Sequence, residues 1–269
     1  MSGRILVEGC PVPETQAASA QHDGRRFLNE VESKHLLASW GVPVEEAIAV
    51  ASAGEAAGAA RRLGFPVALK VLSPDVVHKS DVGGVKLGLV NEAEVEAAYA
   101  AIVSEVARNE PAARLDGVSV QRMAQPGTEV IVGMSRDPQF GPLLMFGLGG
   151  VFVEVLEDVS FRLAPIERRD AREMIAEIKG RPLLAGFRGL PPVDTDALED
   201  LLLKVSEFIA GNPDVAELDL NPVRAGVDGQ PVVLDARARS APQPATSVHD
   251  DVRALDEPPG RRAEPHDHG

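Results

Sequence analysis

Cysteine is nearly missing from this chain. Cys10 is the single one among 269 residues, which excludes a disulfide framework and a thiolate-bound metal cluster. Positive charge is also scarce: 27 lysines and arginines face 41 aspartates and glutamates, a formal net charge of −14. That balance argues against a protein that grips a nucleic-acid backbone, whose phosphates attract a basic face. It leaves room for a nucleotide site, where a few local cations suffice. No basic segment leads into an apolar run at the N-terminus, and no apolar stretch reaches membrane-spanning length. A soluble cytoplasmic protein is expected, with neither nucleic acid nor membrane as partner. No repeat of solenoid length is visible.

Apolar side chains also thin out at the two ends. Residues 1–25 show no period, and "SAPQPATSVHDDVRALDEPPGRRAEPHDHG", 240–269, holds too little to bury. An N-terminal tail over 1–25 and a disordered C-terminal tail over 241–269 are expected, with His266 and His268 solvated.

Between the tails, three capping-box spacings, Asn29/Glu32, Ser52/Glu55 and Asn91/Glu94, announce helices. The first turns Leu36, Leu37 and Trp40 to one face and stops at Gly41. The second places Ala56, Ala60 and Leu63 inward, and the third keeps Val95, Ala98, Tyr99, Ile102 and Val106 at helical spacing. Further helices are predicted over Asp170–Lys179 and Thr195–Ile209. Strands are predicted at Phe65–Leu72, Val85–Val90, Val118–Met123, Glu129–Met134, Leu143–Phe146, Val215–Leu220 and Pro231–Ala236. Regular βαβ alternation is lacking. The expected class is therefore α+β, with mixed strands and helices in two lobes, 26–117 and 118–240, joined near Leu115–Gly117.

Four stretches carry chemistry. In "FPVALKVLSPDVVHKSDVGGVKLGLV", 65–90, strand alternation sets Lys70 on the face opposite Val67, Leu69 and Val71. A lysine there needs an anion or a path to water. Gly83 and Gly84 would let backbone N–H groups converge on phosphate oxygens; a tight turn with a snorkelling lysine explains the same residues. In "VAELDLNPV", 215–223, Glu217, Asp219 and Asn221 share a face, and Asp235 in "PVVLDAR" can join them from the neighbouring strand. Such a row repels itself unless a hard cation such as Mg²⁺ or plain solvation relieves it. In "VSVQRMAQPGTEVIVGM", 118–134, Gln121 to Met123 could present backbone groups to an adenine edge and Glu129 could accept from ribose, or the stretch is an ordinary hairpin. In "FGLGGVFVEVLEDVSFRLAP", 146–165, the glycine spacing fails the dinucleotide fingerprint. Arg162 either neutralises phosphate or pairs with Glu154 or Glu157.

Taken in order, "ALKVLSPDVVHKSDVGGV", "GTEVIVGMSRDPQFGPL", "FGLGGVFVEVLEDVSFRLAP" and "ELDLNPV" with "VLDAR" resemble the nucleotide-binding β subunit of ADP-forming (NDP-forming) acyl-CoA synthetases. These are ATP-grasp proteins similar to succinyl-CoA synthetase, and the likeness runs from about Phe27 to Ser240. The resemblance implies an ATP-grasp fold with the nucleotide between two lobes. It further implies Lys70 on the nucleotide's phosphates, Gly83 and Gly84 in the covering loop, Gln121 to Met123 as the adenine hinge and Glu129 on the ribose. Asn221 and Asp235 match the family's ligands for Mg²⁺ (or Mn²⁺). His78 occupies the position of a phosphorylated histidine, a competent nucleophile near neutral pH, and Asp219 matches the acid that holds it.

On this resemblance the chain is an acid–thiol ligase subunit with ATP or ADP as substrate. It needs a separate CoA-binding α subunit, in an α2β2 assembly, for acyl-CoA + ADP + phosphate ⇌ carboxylate + CoA + ATP. Two other readings share the residues: an ATP-grasp carboxylate–amine ligase working through a direct acyl phosphate, and a nucleotide-binding partner without turnover.

Overall fold

The computed structural model describes residues 21–22, 25–76, 78–150, 158–186, 192–226 and 229–241. Strands β1 (Gln21–His22) and β2 (Arg25–Leu28) lead into helix α1 (Glu30–Ser39). There follow β3 (Ala47–Val50), α2 (Ala53–Leu63), β4 (Val67–Leu72), β5 (Val85–Leu89), α3 (Glu92–Asn109) and β6 (Gly117–Arg122). The second half runs β7 (Gly127–Asp137), β8 (Gly141–Leu148), β9 (Val159–Leu163), α4 (Arg168–Glu177), α5 (Arg181–Leu184), α6 (Thr195–Gly211), β10 (Val215–Gly226), β11 (Val232–Val233) and β12 (Ala236–Ser240).

Two antiparallel sheets result. The smaller has the order β3-β6-β4-β5; the larger runs β1-β2-β12-β10-β7-β8-β9, with β11 paired to β10. Period-two burial explains both. In the smaller sheet Val67, Leu69, Val71, Val118 and Val120 face α2 and α3 and join Ala56, Ala60, Ile102 and Val106 in one core. In the larger, Val130, Val132, Leu144, Phe146, Leu218 and Leu220 pack on α4 and α6 through Met174, Leu198, Leu202 and Phe208. The opposite face of the larger sheet carries Glu129, Asp219, Asn221 and Arg237, and it is here that a site is built.

Helix α1 joins the two halves. Its buried residues are Glu30, Val31, Ser33, Lys34 and Leu37, a set at helical spacing. Val31 packs on Ala47 and Leu72 of the smaller sheet, and Leu37 enters the core of the larger. The face expected from Leu36, Leu37 and Trp40 does meet the core of the larger half. Leu37 is buried, Leu36 packs beside it, and the partly exposed Trp40 ring lies edge-on to Phe208 at 6.2 Å. What the spacing did not show is that Glu30 and Lys34 are buried as well.

The capping signals mark the helix starts, but only Asn29 and Glu32 exchange both hydrogen bonds (3.0 and 2.9 Å). Ser52 and Asn91 also accept from the amide three residues on. Their glutamates, however, reach back one residue further, Glu55 to the Ala51 amide and Glu94 to that of Val90.

The expected joint near Leu115–Gly117 falls one strand too early. β6 lies between β3 and β4, its Val120 opposite both Ile48 and Leu69, so the chain crosses to the larger sheet only after Arg122. Conversely β2, expected in the first lobe, pairs with β12 of the larger sheet. Both are long-range pairings that local patterning cannot show. Of the expected tails, 1–20 and 242–269 lie outside the described residues, as do Glu154 and Glu157. Within the stretch 1–25, however, β1 and the start of β2 pair in the larger sheet. Arg162 bonds Glu177 (3.0 Å) and Glu173 (3.4 Å) on α4. No helix among the described residues is long and apolar enough to cross a membrane.

The core predicts its own energetics. Phe146 is fully buried and Phe140, at the β7–β8 tip, is 69% exposed. Phe146→Ala is expected to cost about 3–5 kcal/mol in guanidinium unfolding, and Phe140→Ala about 0.5 kcal/mol or less; equal losses would show that the larger sheet does not pack on α4 and α6 as described.

Candidate active site

Lys70 sits at the fourth position of β4, a strand buried along its whole length. Alternation points it away from Leu69 and Val71, and it is 7% exposed. Its ammonium donates to Glu30 Oε1 at 3.0 Å, to the Leu234 carbonyl at 2.7 Å and, at the limit, to Asp235 Oδ2 at 3.5 Å. The buried lysine is anchored on an anion, as its cost in an apolar strand requires.

The loop after β4 carries His78 and Lys79. Gly83 (φ +77°) and Gly84 shape it by fit: a Cβ on Gly84 would lie 2.6 Å from Val71 Cγ1 and 2.8 Å from the Lys79 carbonyl. Their amides are committed inside the turn, Gly83 to Ser80 O (3.2 Å) and Gly84 to Lys79 O (2.7 Å). The pair therefore folds the loop back on β4, where the Val71 amide takes the Gly84 carbonyl at 2.8 Å, instead of turning those N–H groups to a ligand. Lys79 donates to Glu30 Oε2 at 2.6 Å and to both oxygens of Asp235 at 3.0 and 2.7 Å. His78 beside it is exposed on the cavity rim.

Glu30 is the meeting point. Lys34, one turn along α1, lies 3.0 Å from Glu30 Oε1 and donates to Gln121 Oε1 at 2.7 Å. Burial alone would push the Glu30 carboxyl up, but Lys70, Lys79 and Lys34 together reverse this and hold it well below the usual carboxylate range. Burial pushes the Lys34 ammonium down to about 8, with the Lys70 charge adding to that and Glu30 opposing it. Burial also works against Lys79, yet Glu30 and Asp235 outweigh it and keep its pKa raised. Three ammonium groups against two carboxylates leave this buried set positive, which suits an anionic ligand. Glu30 and Lys34 were missed in the sequence; their i, i+4 spacing inside a capped helix looks like an exposed pair until the face they occupy is known.

On the larger sheet the row on β10 is partly balanced within the protein. Glu217 accepts from Arg239 Nε at 2.8 Å, and Asp219 is registered opposite Arg237 on β12. Glu217 thus stands apart from the cavity that Asp219, Asn221 and Asp235 line. Asp219 is reached by solvent, yet enough protein surrounds it that desolvation raises its pKa; Arg237 and Lys79 oppose the shift and Asp235 adds to it. Pairing of β10 with β7 shifts between Leu220 and Val223, a bulge that reverses parity. Leu218 and Leu220 are buried before it, Val223 and Ala225 after it. Arg224 therefore lands on the cavity face, a position simple alternation denies it. Its Nη2 donates to Glu129 Oε1 at 2.6 Å. Asp235 sits at the corner between β11 and β12, held where the Asn221 amide donates to its carbonyl at 3.2 Å.

Gln121 is buried in β6 between β3 and β4, and its side chain serves Lys34. Met123 follows as the chain leaves the sheet, its amide on the Pro66 carbonyl at 3.0 Å. Glu129 is the third residue of β7, registered opposite Arg224 of β10.

These groups surround one cavity of about 720 Å³ between the two sheets, lined by Lys70, His78, Lys79, Gln121, Met123, Glu129, Asp219, Asn221, Arg224 and Asp235 among others. Its size suits a nucleotide-sized ligand. Of the candidate residues, Lys70, His78, Gln121, Met123, Glu129, Asp219, Asn221 and Asp235 all lie on its wall, whereas Gly83, Gly84 and Glu217 do not. An ATP-grasp domain signature matches residues 19–239.

The chain belongs to the ATP-grasp family. Its ATP-grasp region is 48% identical over 212 residues to the β subunit of acetate–CoA ligase (ADP-forming) I of Pyrococcus furiosus, covering 79% of this chain and 91% of that subunit. It is 52% identical over 202 residues to acetate–CoA ligase (ADP-forming) I of Archaeoglobus fulgidus, covering 75% of this chain but spanning 29% of that longer protein. Among solved structures, acetyl-coenzyme A synthetase 1 of Ca. Korarchaeum cryptofilum, in complex with coenzyme A and Ca-AMPCP, matches with a TM-score of 0.77 and 50% identity, covering 80% of this chain and 93% of that one.

The ATP-grasp site also fits a hard divalent cation. Its donors are oxygens, Asn221 and Asp235 with Asp219 nearby. Among the described residues no group of three or more His, Cys, Asp or Glu could hold a metal ion by itself, and both Asp235 oxygens accept from Lys79. A cation here would therefore draw on one or two protein oxygens and on the ligand's phosphates.

The lowered pKa of Glu30 has a sign that can be tested. The unfolded carboxyl titrates near 4.5, so the Glu30 contribution is complete above that pH and is lost as pH falls toward the lower folded value. Urea unfolding between pH 3 and 6 is expected to show stability falling below pH 4.5 by up to about 1.4 kcal/mol per pH unit more in wild type than in Glu30→Gln; parallel curves would show that Glu30 is not held ionised by the lysines.

Proposed function

We propose that this chain is the nucleotide-binding subunit of an ADP-forming acyl-CoA synthetase, a cytoplasmic enzyme, and that it moves a phosphoryl group between His78 and ADP. The observation that carries this reading is the single cavity shared by Lys70, His78, Asp219, Asn221 and Asp235. The similarity to ADP-forming acetate–CoA ligases, one of them a β subunit spanned almost end to end, supports it.

In the direction of ATP formation, the P–N bond of phosphorylated His78 breaks as a terminal ADP oxygen forms the new P–O bond, and the electron pair returns to the imidazole. Such a transfer asks the protein for position and for cancellation of charge on the phosphoryl oxygens. Lys70 would meet those oxygens from β4, and Lys79 would flank the histidine. Asp219 would orient the imidazole and stabilise its charged form. Glu129, steadied by Arg224, would accept from the ribose, and the backbone around Gln121 to Met123 would border the base. Asn221 and Asp235 would hold Mg²⁺, which when bound supplies further neutralisation of the phosphates. A CoA-binding α subunit would load His78, whose exposure on the rim leaves it open to a partner. We place that partner in an α2β2 assembly.

Incubation with γ-labelled ATP and Mg²⁺ is expected to leave an acid-labile, base-stable label on the wild-type chain and none on His78→Ala. A wild-type chain that binds ATP but takes up no label would overturn the relay. In calorimetric titrations, Asp235→Ala is expected to weaken Mg-ATP by at least tenfold more than metal-free ATP; equal weakening would remove Asp235 from the metal site.

A further inference from the structure

Glu30 lies buried behind the cavity and has no part in the proposed transfer. Its side chain is 1% exposed and lies within 3.0 Å of three ammonium groups. It does not line the cavity, so it touches neither nucleotide nor histidine. What it touches are the two lysines that do border the cavity.

The three contacts of Lys70 are unequal. Glu30 Oε1 at 3.0 Å and the Leu234 carbonyl at 2.7 Å are short; Asp235 Oδ2 at 3.5 Å is at the limit of a hydrogen bond. An ammonium has three N–H donors. Two are fixed by protein oxygens behind the site, and the third points along the weak contact toward the carboxylate at the cavity edge. A phosphate oxygen competing with Asp235 would therefore gain that donor without disturbing the other two. Lys79, from the loop side, also rests on Glu30 but holds Asp235 firmly, at 2.7 and 3.0 Å, so a phosphate must displace a full pair there. Its 2.6 Å contact with Glu30 Oε2 is the shortest it makes, and its other bonds go to Asp235.

We infer that Glu30 is a positioning residue that holds the Lys70 and Lys79 ammonium groups in register, one on each carboxylate oxygen, so that both can turn a donor from Asp235 to a nucleotide phosphate. The inference rests on the proposed phosphate role of Lys70. Glu30 sits in the first turn of α1, whose other contacts, Val31 on the smaller sheet and Leu37 in the core of the larger, fix the helix between the two halves. The two lysines come from β4 and from the loop that carries His78. One carboxylate thus sets the spacing between the strand lysine and the loop lysine, and with it the position of the histidine next door.

The test needs a readout that loss of stability alone would not move. The ratio of adenosine to ADP dissociation constants, both measured by calorimetry on the full chain with Mg²⁺, isolates the phosphate contribution. Lys70→Met is the control, expected to lower the ratio at least tenfold. An unchanged ratio there would end the phosphate role of Lys70 itself, whatever Glu30 does. Glu30→Gln, which keeps the shape and loses the charge, is expected to lower the ratio by tenfold or more while adenosine affinity stays within about twofold. Glu30→Asp keeps the charge but is one methylene too short to span both lysines, and is expected to fall between the two, at least threefold down. Should Lys70→Met reduce the ratio while folded Glu30→Gln retains the wild-type value, the positioning role is wrong. If Glu30→Gln does not fold by circular dichroism, an undiminished ratio in Glu30→Asp overturns it equally.

Discussion

Charge is buried where the two sheets of this ATP-grasp chain meet, and most of the local geometry follows from keeping it paired. Each ion taken out of water costs several kcal/mol even after relaxation, and a pair broken by removing one partner costs about 3–5 kcal/mol. Glu30, Lys34, Lys70, Lys79 and Asp235 come from four separate places: α1, β4, the loop after it, and the β11–β12 corner. None can be buried alone. The cluster therefore ties the smaller sheet to the larger one wherever these five side chains converge, and the backbone supports it at Leu234 and the side-chain amide of Gln121. An apolar contact would hold the sheets together with less cost; an ionic one leaves donors that a phosphate can take over.

The larger sheet solves a related problem with a bulge. A strand that kept strict alternation through Val215–Gly226 would bury Arg224 or expose Val223. The shifted register after Leu220 avoids both, because the extra residue falls at Asn221 and Pro222 and proline has no ladder N–H to lose. The same bulge leaves the Asn221 amide facing Asp235 O and the Pro222 carbonyl facing the Leu234 amide. The corner bearing Asp235 is thereby locked beside Asn221. Metal-type oxygens, the Glu129–Arg224 pair and the Lys70 anchor at Leu234 all depend on this one irregularity.

Much of this was legible beforehand. Elements with local rules came through: the helix caps, the i, i+3, i+4 face of α3, and the alternation of β4 that turns Lys70 from Leu69. Candidate residues separated by more than 160 positions, such as Lys70 and Asp235, were found together because their motifs resemble a family whose order is specific. What stayed hidden depends on partners far away in the chain. β6 belongs to the smaller sheet because it fills the slot between β3 and β4. Glu30 and Lys34 are buried because α1 lies between the two sheets and turns a second side inward. The acidic row on β10 looked as if it called for a cation, and two arginines at alternate positions of β12 answer part of that need. A charged residue is assigned to solvent by default, and the default fails where several of them can neutralise one another.

The gradient across the cavity bears on the proposed chemistry. His78 is exposed, whereas Lys70 and Glu30 behind it are almost fully buried. A phosphoryl carrier needs both environments: an open side where the group is loaded, and a drier one where cations act through a lower effective dielectric. The loop between them is fastened at two points on either side of the histidine. Arg237 Nη2 holds the Val76 carbonyl at 2.8 Å, and Glu30 with Asp235 holds Lys79. Arg237 and Asp235 both line the cavity, and Glu30 lies behind it. Ligand charge arriving at Asp235 would therefore be felt first by Lys79, and so by the backbone that aims the imidazole. Coupling of this kind requires no long path through the protein. It requires that the residue next to the histidine be paired with the proposed metal ligand, and Lys79 is paired with Asp235.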